Sequence, residues 1–109
     1  MNDILTLDRV IRDGKVAVLY SPGFGAGWST WDYDSGNNLM FDPVIVGYVE
    51  RGAMEELETY MEMRYTGVYT GGMRDLIIEW VPIGTLFKIS EYDGSESIEY
   101  KEADGWTVA

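Results

Sequence analysis

A chain of 109 residues with 46% hydrophobic and 14% aromatic side chains can bury one modest core, too apolar overall for a disordered acidic tail. It holds no cysteine and no histidine, which removes disulfides, thiolate chemistry, cysteine-ligated zinc and any histidine-based triad. A formal charge of −11 repels phosphate backbones along most of a surface, so direct DNA or RNA binding is disfavoured, and no apolar run approaches the ~20 residues of a membrane span.

In chain order, Met1-Asn2-Asp3-Ile4-Leu5 lacks the basic segment and apolar stretch of an export signal, so the expected setting is the cytoplasm. Thr6–Gly14 reads as a short helix, with Thr6 as N-cap and Gly14 as the left-handed stop. Lys15–Tyr20 is an apolar run of strand formers closed by Ser21-Pro22-Gly23, and is expected to be a buried strand. A loop continues from there to about Phe41. Asp42-Pro43 starts a helix that Gly52 ends, with Val44, Ile45, Tyr48 and Val49 on one side. Ala53–Tyr65 is a second helix whose Met54, Leu57, Met61 and Tyr65 recur at helical spacing among glutamates. Beyond Gly71-Gly72 the period changes to that of strands: Asp75–Val81, then a turn at Pro82-Ile83-Gly84, then Thr85–Tyr92. Asp93-Gly94 marks a hairpin into Ser97–Lys101, and Trp106-Thr107-Val108 is an edge strand. The expected fold is a single α+β domain over residues 1–109: an antiparallel meander in the C-terminal half packed on two or three short helices.

The densest concentration of unusual residues is Tyr20 to Trp31. Glycines there permit close approach of backbone N–H groups to a ligand, and the indoles supply large flat surfaces. Gly23-x-Gly25-x-Gly27 is neither a dinucleotide fingerprint nor a P-loop, since Trp28 stands where the last glycine belongs and no Gly-Lys-Ser/Thr follows. What remains is a generic anion nest. In that reading Gly25, Gly27, Ser29 and Thr30 receive phosphate, Trp28, Trp31 and Tyr33 stack, Arg74 offsets charge, and Tyr20 and Gly23 complete the ligand-binding set. The bland reading is a turn whose indoles plug the core. Asp32, Asp34 and their neighbours imitate a calcium loop, but Gly36 and Asn37 occupy the fifth and sixth places and Pro43 replaces the bidentate glutamate. No cofactor, metal site or catalytic set is expected. A metal-assisted hydrolase using Asp32, Asp34 and Asp42 is the weakest of three alternatives.

Val16–Trp31, Phe41-Asp42-Pro43 and Glu91–Ser97 resemble a widespread group of small hypothetical bacteriophage proteins. The resemblance implies the cytoplasm of an infected bacterium and a role in interfering with host defence. Two binding functions follow as expectations. One is a non-enzymatic protein, assembled as a homo-oligomer, that sequesters a small nucleotide-like ligand at the glycine–tryptophan loop. The other is an acidic module, with Glu55, Glu58, Glu62, Glu96 and Glu99 on one face, that occludes a basic site on a host protein.

Overall fold

Strand β2 (Lys15–Tyr20) is apolar at successive positions because both of its faces are covered. In the computed structural model, which describes residues 9–23, 27–31, 36–67, 72–92, 94–100 and 107–109, β2 is the central strand of an antiparallel sheet. Its neighbours are β1 (Ile11–Arg12) and β3 (Ile77–Pro82), in register Ile11↔Val16 and Ala17↔Trp80. A second antiparallel sheet has β4 (Leu86–Tyr92) between β5 (Ser95–Tyr100) and β6 (Thr107–Val108).

Three helices complete the α+β fold: α1 (Gly36–Phe41), α2 (Pro43–Arg51) and α3 (Met54–Arg64). The two-residue period of β2 sorts the core. Ala17 and Leu19 point into a cluster with Ile45, Val46, Leu57 and Met61 of the helices. Val16 and Val18 point the other way, onto Val81, Phe87 and Ala109, with Ile89 and Ile98 packed alongside. The first sheet therefore lies between the helices and the second sheet. α1 feeds both sides, with Leu39 in the first cluster and Met40 and Phe41 in the second.

The junction of α2 and α3 is fixed by one carboxylate. Asp42 is fully buried and caps α2, accepting from the N–H of Val44 at 2.8 Å and of Ile45 at 3.4 Å. Its other oxygen accepts from the hydroxyls of Tyr60 (2.6 Å) and Tyr65 (2.8 Å), which tie α3 to the start of α2. Gly52, at φ 68°, closes α2 in the left-handed conformation.

Four local expectations change. The helix expected at Thr6–Gly14 is replaced, where it is described, by the tight hairpin between β1 and β2. Asp13 (φ 52°) and Gly14 (φ 76°) form its turn, because Asp-Gly accepts the two positive φ values of a type I′ turn. The long loop after Tyr20 contains a 3-10 turn at Ser29–Trp31 and helix α1. The C-terminal strands divide between two sheets, since β3 pairs with β2 and its successor β4 pairs with β5 and β6. Val44, expected on the buried side of α2, is 41% exposed.

Candidate functional site

The described N–H groups at the two ends of the glycine–tryptophan loop converge on one anion, and the chain supplies it itself. Glu96, at the start of β5, is 1% exposed. Its carboxylate accepts from the backbone N–H of Ser21 (3.0 Å), Trp28 (2.7 Å) and Thr30 (3.1 Å), and from the Thr30 hydroxyl. The Glu96 N–H donates back to the Ser21 carbonyl at 2.8 Å. A buried carboxylate is tolerable only with such a donor set, and this set is the kind a phosphate would use. Thr30, expected to receive a ligand's phosphate, thus joins the N–H groups of Ser21 and Trp28 in holding β5 onto the end of β2.

Trp28 is fully buried in the helix-side cluster, and its indole N–H donates to the Leu39 carbonyl at 3.2 Å. It is a core residue rather than a stacking surface. Ser29 is buried, and its hydroxyl, like that of Ser21, has no hydrogen-bond partner among the described residues. Gly23 and Gly27 lie against the segment that enters β3. A Cβ on Gly72 would stand 2.2 Å from the Gly27 carbonyl oxygen, and one on Gly23 would stand 2.3 Å from Oδ2 of Asp75. Arg74 is exposed and pairs with Glu58 at 3.1 Å. Trp31 sits in the 3-10 turn. Gly25, Tyr33, Asp32, Asp34 and Trp106 lie outside the described residues. Among the described residues, no three acidic side chains converge as a metal-binding group.

Tyr20 faces the second sheet. Its hydroxyl donates to Glu79 at 3.3 Å, and Tyr100 donates to the other oxygen of Glu79 at 2.6 Å. Burial, reinforced by the Glu79 carboxylate, raises both phenols, and Tyr100 is pushed up to about 12.

Two further surfaces carry chemistry. The first is the outer face of α3. At about 100° per residue, Glu58, Glu62, Glu55, Thr59, Met63 and Glu56 follow one another around an arc of roughly 160°. All six are exposed, and Met63, 80% exposed, lies toward one edge of the arc near the C-terminal end of α3. Glu96 and Glu99 do not belong to this face, since Glu96 is buried and Glu99 accepts from Ser90 on the second sheet.

The second is an open cleft of about 360 Å³ lined by Arg12, Asp13, Lys15, Glu50 and Trp80. It forms where the hairpin end of the first sheet projects past the last turn of α2. Arg12 grips Glu50 with two bonds, at 2.6 and 3.0 Å, and its guanidinium lies 5.0 Å from the centre of the Trp80 ring. That pairing lowers the Glu50 carboxyl and raises Arg12. A helix over Thr6–Gly14, the expectation from sequence, would hide this cleft by separating Arg12 from Lys15. The Asp13-Gly14 turn signal was the clue that would have brought Arg12 and Lys15 to one end of a hairpin.

No family model, curated protein or solved structure matches this chain. No helix among the described residues is long and apolar enough to cross a membrane.

Proposed function

We propose that the chain is a non-enzymatic interaction module that docks the outer face of α3 on a basic partner surface. The observation that carries this reading is the exposed arc of Glu55, Glu56, Glu58 and Glu62, with the exposed Met63 at its edge. An exposed apolar side chain beside a run of carboxylates suits an interface, with methionine as the adaptable anchor and the carboxylates setting the sign of the partner. The molecule's charge of −11 strengthens the long-range attraction to a basic surface. The resemblance to small bacteriophage proteins supplies the setting, in which the partner is a host protein whose basic site is occluded. A nucleotide-like ligand on the glycine–tryptophan loop is the weaker reading, because it would require Glu96 to withdraw from Ser21, Trp28 and Thr30.

The test is affinity capture from bacterial lysate at about 50 mM and about 500 mM salt, where the screening length differs severalfold. It is run with the natural chain and with a variant carrying Glu55→Gln, Glu56→Gln, Glu58→Gln and Glu62→Gln. A basic protein held at low salt, released at high salt and lost by the variant supports the proposal. Equal retention by the variant, or no specific protein at either salt, overturns it.

A further inference from the structure

We infer that the cleft between the β1–β2 hairpin and the end of α2 is a binding site for a small aromatic anion of mononucleotide size. This inference is independent of the α3 interface and of the glycine–tryptophan loop.

Three observations converge on it. The first is charge. In a chain with 8 basic and 19 acidic side chains, the cleft brings together Arg12 and Lys15 against Asp13 and Glu50, so its lining is formally neutral. An anion meets less repulsion there than over most of the surface.

The second is the state of the two cations. Arg12 spends one N–H on each oxygen of Glu50, which leaves three guanidinium N–H groups and fixes the planar head in place. Lys15 stands across the hairpin from Arg12, in register Arg12↔Lys15, and its ammonium makes no hydrogen bond or ion pair with the other described residues. An unengaged ammonium beside a prepositioned guanidinium is a donor pair for a phosphate or carboxylate.

The third is shape. Trp80 stands at position Ala17↔Trp80 in the ladder, half-buried against the helix-side cluster, and carries the Arg12 guanidinium over its ring at 5.0 Å, so that the indole and the planar head together form one wall of the cleft. A volume of about 360 Å³ lies near the lower end of the roughly 300–1,000 Å³ range of small-molecule sites, and suits a mononucleotide better than a dinucleotide. The ring system would lie along Trp80 and the Arg12 head, with the phosphate on Lys15.

Titration of the full chain with AMP, GMP, CMP and UMP, each to about 1 mM, tests this by calorimetry. Inorganic phosphate and the uncharged nucleosides serve as separate arms. The expected result is saturable binding of at least one mononucleotide that weakens roughly tenfold or more in Lys15→Gln, the loss of one charge-assisted contact, and that persists in Lys88→Gln. Lys15 is exposed, so Lys15→Gln leaves the fold intact, which circular dichroism verifies. Binding that also weakens in Trp80→Leu supports the aromatic wall. No binding of any mononucleotide overturns the inference. So does equal affinity in Lys15→Gln, or affinity for inorganic phosphate equal to that for the nucleotides.

Discussion

Glu96 joins segments distant in sequence, since its partners Ser21, Trp28 and Thr30 precede it by 66 to 75 residues. Glu96→Ala would leave buried N–H groups without acceptors, at a cost on the order of 3 kcal/mol. Urea unfolding is expected to show that loss, whereas Glu99→Ala, on the exposed face of β5, should shift the midpoint little. Gly72 is a second constraint of the same loop. Its φ of −91° is ordinary, so the need for glycine is steric: a methyl would meet the Gly27 carbonyl at 2.2 Å. Gly72→Ala should destabilise by roughly 1–3 kcal/mol. Gly23→Ala should cost less, because its nearest obstacle is the end of the exposed Asp75 side chain, which can turn away. Chemical denaturation of the two variants side by side checks the order. These residue-scale roles were only partly legible. The glycines announced close backbone approach, but nothing in the local sequence marked Glu96 as the anion that fills the nest.

At the scale of elements, the Asp42–Tyr60–Tyr65 cluster links α2 and α3 and makes their union sensitive to alkali. Burial, and then the hydrogen bonds to Asp42, raise both phenols well above their usual range. The folded state therefore keeps protons that the unfolded chain loses above about pH 10. Stability from this cluster is complete below that pH and is lost progressively as the pH rises above it. Thermal melts between pH 8 and about pH 11 should show a falling midpoint, and Tyr60→Phe with Tyr65→Phe should flatten that decline while lowering stability at pH 8. A decline of unchanged steepness in the double variant would exclude the cluster as its source. Asp42-Pro43 and Gly52 were readable as helix boundaries because caps are local chemistry. That the same Asp42 also serves two tyrosines of the next helix was not readable, since it depends on how the two helices pack.

For the whole molecule, the net charge of −11 opposes compaction, and among the described residues the salt bridges Arg12–Glu50 and Arg74–Glu58 lie at the surface, where they offset little of it. Raising sodium chloride from about 10 mM to about 300 mM should therefore raise the melting temperature, as screening weakens the self-repulsion. A flat or falling melting temperature would mean that the carboxylates are too dispersed to matter. The amino-acid sequence by itself determined the α+β class, the capped start of α2, the buried stripe of α3 and the antiparallel pairing of β4 with β5, because period, caps and turn residues act over a few neighbours. It also determined the absence of histidine and cysteine chemistry. Only the tertiary structure decided that β2 lies between two cores, that Trp28 packs inside and that Glu96 occupies the nest. It alone decided, too, that Arg12, Lys15 and Trp80 meet in one cleft. Each of those facts is a pairing between segments far apart in the chain, and the register of β2 against β1 and β3 selects it among many partners of similar chemistry.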